Sequence, residues 1–367
     1  MDHIDRLRGD GLDDPATYER NVENYAGTVR VPVGLAGPLR IDGGAARGTY
    51  DVPLATTEAA LVASYSRGAQ LISYAGGCVA RVLDARMRRA PVLAFDGLED
   101  AMLVAAWIRA NIPRLRAAAE ATSHHATLLA IEPSIEGNHL YLDCAYATGE
   151  AAGQNMVTFA TDALCAELVA AAPVRPRSYA VESNASGDKK ATARAMLSTR
   201  GRRVCAEARI PAALLAERLR VTPGALCAYW QMGAVGATMT GAIGLQGMYA
   251  NALAAFYLAT GQDVACVAES AIGITRFEVA RDGALYASVT MPNVVVASIG
   301  GGTGLPTQRA SARMLARDGE SPCADALAEI VAAIVLAGEI SLTASLCAHD
   351  FSAAHRRFAR RAPGAVA

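Results

Sequence analysis

The sequence predicts an α+β protein: a large domain of mixed helices and sheet, interrupted by a smaller ferredoxin-like unit of βαββαβ order. Three observations predict it. Between residues 89 and 180, strand-like and helix-like periods alternate in that order. Between Arg220 and Asp263 no charged side chain occurs and glycines recur at helical spacing, as in helices packed inside a large core. A chain of 367 residues with 52% hydrophobic content can bury such a core and still carry a second unit.

The elements follow in chain order. Residues 15–22 predict an entry helix, and residues 31–39 a Gly/Pro-punctuated pair of short extended pieces. Thr56 or Thr57 is an N-cap candidate for a helix carrying Leu61, Ser64, Tyr65 and Gly68, which would place Glu58 in its first turn. A glutamate there is ordinary helix-start chemistry as well as a catalytic candidate. Residues 92–95 predict a strand, and residues 96–99 a helix start, followed by Leu103, Trp107, Ile108, Ile112 and Leu115 on one face. Residues 126–131 and 139–146 predict strands joined by a turn at Gly137. A helix over Val157, Thr161, Leu164 and Leu168 and a strand at 177–181 complete the inserted unit. Residues 191–197 predict a helix and 201–210 a strand. Residues 231–262 are long enough to cross a bilayer, but their glycines and the lack of aromatic or basic anchors at both ends favour soluble-core helices. The expected division is a large domain from 1–88 and 193–340, the inserted unit at 89–180, a lysine loop at 181–192 and a terminal helix and tail at 341–367.

Composition narrows the function. The net charge is -1 and aromatic content is 5%, which excludes a basic or aromatic nucleic-acid footprint. Eight cysteines stand singly, without a C-x-x-C pair, which argues for reduced thiols in a cytoplasmic protein and against structural zinc. The first residues are charged and show no secretory pattern. Of the 34 Lys and Arg residues only two are lysine, Lys189 and Lys190, adjacent in the run Ser183-Asn184-Ala185-Ser186-Gly187-Asp188-Lys189-Lys190. A compact ammonium can act as a point charge on a developing oxyanion, which a guanidinium does less well. Two solvated lysines in a tight turn would give the same sequence. Asp263 closes the uncharged segment and is an attractive partner for Lys189, or an acid meeting water at a helix end. The run Ile299-Gly300-Gly301-Gly302-Thr303 lets backbone approach a phosphate or a nicotinamide edge.

Taken together, six stretches in order resemble the catalytic portion of the hydroxymethylglutaryl-CoA reductase family, of the eukaryotic and archaeal class without its membrane anchor. They are the Glu23-Asn24-Tyr25-Ala26-Gly27 run with residues 31–39, Pro53 to Glu58, Gly153-Gln154-Asn155-Met156, Asp188-Lys189-Lys190, Gly261-Gln262-Asp263 and Ile299 to Thr303, extended by Leu336-Ala337-Gly338-Glu339 and a terminal His. The resemblance implies reduction of an acyl-CoA thioester to a primary alcohol by two hydrides from NADPH, with NAD possible. It implies catalytic roles for Lys189 on the oxyanion, Glu58 as acid, Asp263 as their partner and His355 as acid for the CoA thiolate. His355 is chosen over His349 by gapless matching. Arg89, Asp188, Lys190, Asn251 and Asn24 are implied at the substrate. Ser123, Gly153, Asn155, Gly300, Gly301 and Gly302 are implied at the cofactor. No metal is implied, and a homodimer or larger homo-oligomer with the site at its interface is. Glu182, Met232 and Val267 depart from the family pattern where the acyl group is held, so a different acyl-CoA or carrier-bound acyl group is an alternative substrate. A catalytically silent ligand-binding protein is a further alternative.

Overall fold

A computed structural model describes residues 14–349 except 20 and 318. Strands β1 (Val33–Gly43) and β2 (Arg47–Ala55) form an antiparallel hairpin. Helix α1 (Leu61–Tyr74) follows; its buried Leu61, Tyr65, Gly68, Ala69, Leu71 and Ile72 form one stripe against the body. Strand β3 (Cys78–Arg89) pairs parallel with β1 at its start and antiparallel with β6 (His139–Ala147) at its end. The same β3 pairs with β8 (Gly201–Ile210), which pairs with β10 (Leu285–Val294), and β10 with β9 (Ile274–Val279). One ten-stranded sheet results.

Within residues 92–180 the strands are β4 (Val92–Ala94), β5 (Thr127–Glu136), β6 and β7 (Ser178–Ala180). Their order is β7-β4-β6-β5 with every neighbour antiparallel, the arrangement of a split βαβ unit. The single helix expected before β5 is two, α2 (Leu98–Ala110) and α3 (Ile112–Glu120), because Pro113 stands in the first turn of the second and starts a new helix. Helix α4 (Gln154–Ala171) packs on α3 and buries Val157, Ala160, Thr161, Leu164 and Leu168, with Thr161 Oγ1 bonded to the Tyr146 hydroxyl of β6.

The body is closed by α5 (Ala212–Leu219), α6 (Pro223–Thr240), α7 (Tyr249–Thr260), the short α8 (Val267–Ser270), α9 (Pro306–Arg313) and the central α10 (Ala324–Cys347). Helix α10 is apolar and long enough to span a bilayer, but 89% of that apolar window is buried inside the fold. It touches α1 at zero clearance: a Cβ on Gly68 would stand 1.9 Å from the Ala337 carbonyl oxygen, and one on Gly338 would stand 2.1 Å from the Tyr65 ring.

Four further sequence expectations change. The uncharged run is two helices, α6 and α7, broken at Gly241; α7 is buried, but most of α6 is exposed, with Met232, Val235 and Met239 facing outward and open space at Gly233 and Gly236. Its small residues therefore do not serve close packing within this chain. The entry helix is a single 3-10 turn at Pro15–Thr17, and the helix expected at 191–197 is another at Ala193–Met196. Helix α1 begins only at Leu61, behind Ala60 at φ +68°, so Glu58 precedes the helix in a turn whose amide is bound by Thr56 Oγ1 at 3.0 Å.

Candidate active site

The lysine loop owes its shape to left-handed backbone at Asn184, Gly187 and Lys189, the last at φ +56°. For a residue with a Cβ that conformation costs about 1 kcal/mol, so the surroundings must hold it. Ser186 Oγ accepts the Asp188 amide at 3.2 Å, and Lys190 Nζ donates to the Asp188 carbonyl at 2.9 Å. Lys190 thus closes its own loop.

Lys189 Nζ lies 3.1 Å from Asp263 Oδ2, which also accepts Gln154 Nε2 at 3.1 Å. The other oxygen, Oδ1, caps the turn Val264–Cys266 by accepting the Ala265 amide at 3.1 Å. Burial alone would push the Asp263 carboxyl up; the bonds from Lys189 and Gln154 and the Lys189 charge outweigh it and leave it below the ordinary carboxylate range. Burial would likewise pull Lys189 down, and its bond to Asp263 outweighs that, raising it. Both groups are therefore charged at neutral pH. Neighbouring Cys266 is pushed well above the thiol range by burial and by nearby Glu269 and Asp263, which makes it a neutral filler, not a nucleophile.

Beneath the loop runs a chain of alternating charges. Arg89 Nη1 reaches Glu182 Oε2 at 3.2 Å and Asp188 Oδ2 at 3.1 Å, while Arg200 reaches Asp188 Oδ1 at 2.8 Å and Glu269 Oε1 at 2.6 Å. Arg200 is 1% exposed and Glu269 is fully buried. Burial pushes the Glu269 carboxyl up, and the Arg200 charge offsets part of that rise.

Lys189 and Asp263 open onto a cleft of about 630 Å³ that also has Asn21, Gly153, Gln154, Asn155, Met156 and Gly300 to Gly302 on its walls. That volume suits a small-molecule ligand. Two walls meet at Gly261 and Gly302, where a Cβ on Gly261 would stand 2.3 Å from the Gly302 carbonyl oxygen at φ +72°. The first turn of α4, with Gly153, Gln154 and Asn155, points its free amides at the same space, a favourable setting for anionic groups.

The sequence candidates fall into groups. Lys189, Asp263, Gly153, Asn155, Gly300, Gly301 and Gly302 share this cleft. Arg89, Asp188 and Lys190 lie in or beside the lysine loop, with Arg89 and Asp188 committed to the ion pairs just described. Asn251, on α7, lines a second cavity with Ala191, Gln246 and Met248; the start of α7 is held by buried Glu339, which accepts the Gly247 and Met248 amides at 2.8 and 2.6 Å. Glu58 is exposed and outside both cavities. Ser123 sits in the turn between α3 and β5, accepting the His125 amide, away from the cleft. Asn24 is exposed, and it is Asn21 that reaches the glycine run, donating to the Gly301 carbonyl at 3.0 Å. His355 lies outside the described residues. Sequence reasoning passed over Gln154, Asn21, Arg200 and Glu269. Gln154 was readable beside Asn155, whereas Arg200 is one arginine among many and Glu269 carries no local pattern.

Comparison with known proteins gives a consistent result. The family model described as hydroxymethylglutaryl-coenzyme A reductase matches residues 1–360. The chain is 42% identical over 347 residues to 3-hydroxy-3-methylglutaryl-coenzyme A reductase of Haloferax volcanii, covering 93% of this chain and 85% of that protein. It is 39% identical over 354 residues to the protein of the same name from Methanocaldococcus jannaschii, covering 95% and 87%. Among solved structures it is similar to a class II 3-hydroxy-3-methylglutaryl-CoA reductase from Streptococcus pneumoniae bound to NADPH, with a TM-score of 0.74 and 21% identity over 94% of this chain and 96% of the other. This last likeness is one of fold.

Proposed function

The chain belongs to the hydroxymethylglutaryl-coenzyme A reductase family, and from that premise we propose how its own residues carry the reduction of hydroxymethylglutaryl-CoA to mevalonate and CoA with two NADPH. The observation that carries the reading is the Lys189–Asp263 pair, 3.1 Å apart at the mouth of a cleft walled by glycine backbone. The cleft fits a nicotinamide dinucleotide: Asn155 and Gly300 to Gly302 offer amide and backbone groups, and the first turn of α4 favours phosphate. When bound there, the nicotinamide supplies the hydride for each of two reductions. Lys189 holds its ammonium on the thioester oxygen as negative charge develops, and Asp263 keeps that ammonium charged and oriented. Glu58 gives a proton to the aldehyde oxygen in the second reduction, and His355 protonates the departing CoA thiolate. Arg89, Asp188, Lys190, Asn251 and Asn24 serve the acyl-CoA, whereas Ser123, in the turn before β5 and away from the cleft, has no part in this placement of the cofactor.

In this reading residues 89–180 form the cofactor-side unit and residues 1–88 and 193–340 the substrate side. The assembly is a homodimer: Glu58 stands apart from the Lys189 cleft within one chain, and α6 offers exposed Met232, Val235 and Met239 as an apolar seat for a second copy. The eight cysteines are free thiols, which suits a cytoplasmic setting. NADPH oxidation with hydroxymethylglutaryl-CoA tests the reading: parent protein turns over, Lys189→Ala does not, and a folded parent without turnover rejects it. One observation favours a second substrate class: Arg89 is already matched by Glu182 and Asp188, as suits an acyl group without a free carboxylate. A panel of acyl-CoAs run beside the first substrate decides between them.

A further inference from the structure

Asp188 lies between two guanidiniums: Arg89 Nη1 donates to Oδ2 at 3.1 Å, and Arg200 Nη2 stands 2.8 Å from Oδ1 as an ion pair without hydrogen-bond alignment. Arg200 in turn rests on Glu269 at 2.6 Å, and its own amide donates to Asn293 Oδ1 on β10 at 2.8 Å. Glu269 has no exposure, Arg200 has 1% and Asn293 has 4%, so this anchor lies wholly inside the body. The residue after Asp188 is Lys189, held at φ +56°.

From this geometry we propose, resting on the reading above, that Glu269 and Arg200 are positioning residues for the reduction: the buried pair fixes Asp188 and the Lys189 backbone, and so sets where the ammonium meets the reacting carbonyl. A buried ion pair that served stability alone would be replaceable by apolar side chains of similar size, often without loss. A positioning pair would not be, because apolar side chains leave Asp188 with one guanidinium and let the strained lysine relax. Neither residue reaches the glycine run or the first turn of α4, so cofactor affinity should not change.

The test compares three variants with the parent: Glu269→Gln, Arg200→Lys, and the double variant Arg200→Met with Glu269→Leu. The second keeps the charge but loses the fork that spans two carboxylates. The expected result is that each folded variant loses about tenfold or more in kcat, since a displacement near 1 Å can cost a hundredfold, while KM for NADPH stays within about twofold. The second readout needs no substrate. Because Lys189 and Lys190 are the only lysines, protein labelled with ¹⁵N-lysine gives two backbone amide signals, and that of Lys189 should move in every variant. The proposal is overturned if the double variant, or Glu269→Gln where the double variant fails to fold, keeps kcat within about threefold of the parent with the Lys189 signal unmoved. If the parent itself does not reduce hydroxymethylglutaryl-CoA, the functional reading fails on its own, and the lysine signal still decides the positioning.

Discussion

Replacing Asp263 with asparagine removes the charge that faces Lys189 while keeping size and a hydrogen-bond acceptor. At the observed 3.1 Å, two unit charges interact by about 1.3 kcal/mol at the dielectric of water and about 5 kcal/mol at an effective constant near 20. The side chains are 45% and 38% exposed, so the lower end applies. A loss of about 1 kcal/mol corresponds to about five times more free amine on Lys189 at a fixed pH. The assay is acylation by an amine-reactive reagent at mildly alkaline pH, followed by peptide mass spectrometry. Lys190 serves as the internal reference, since its Nζ bonds to the Asp188 carbonyl and not to Asp263. The ratio of Lys189 to Lys190 labelling should rise about fivefold in Asp263→Asn. A ratio that is unchanged or lower in the folded variant refutes the electrostatic account of this pair.

Other outcomes follow from the same structure. Lys189→Arg should fold normally yet lose at least about a hundredfold in kcat, because a planar guanidinium cannot reproduce a point charge in that place; turnover assays at saturating NADPH check it. The stability difference between parent and Asp263→Asn should be flat across neutral pH. Asp263 is lowered by its partners, so its contribution is present above the ordinary carboxylate range and disappears as pH falls through the folded value; Lys189 is raised, so its contribution is lost only as pH rises through its own folded value. Thermal melts from acid to alkaline pH check this. Gly68→Ala should destabilise by about 1–3 kcal/mol despite a gain in helix propensity near 1 kcal/mol, because the new methyl meets the Ala337 carbonyl. Glu329→Gln should cost about 3 kcal/mol in denaturant titration, since its buried carboxylate accepts three amides, from Gly44, Ala45 and Ala46, and an amide group would turn a donor toward them.

Local pattern revealed much of this protein. The alternation of periods between 89 and 180 gave four strands and their flanking helices, because each buries one regular face against the next. It merged α2 with α3 because apolar spacing continues across Asn111, and only Pro113 marks the break. The lysine pair stood out by residue type, and its partner Asp263 by its place at the end of an uncharged run. Arg200 and Glu269 were invisible for the opposite reason: they are 69 residues apart and meet only through the fold. Glu58 was readable as an acid near a helix start, but a threonine-bound turn, not the helix, holds it. The exposure of α6 could not be read either, since a helix of small apolar residues has the same sequence whether its neighbour is its own core or another molecule.

Strand β3 carries the chain from its pairing with β1 to its pairing with β6, with one register shift against β8 between Val82 and Asp84, and Arg89 is its last residue. The chain comes back from the part beyond it through the loop that holds Asp188, so that part hangs on two links, one a strand and one irregular. A swing of that part would twist the far end of the strand. Arg89 turns with it, and pulls on Asp188 as it turns.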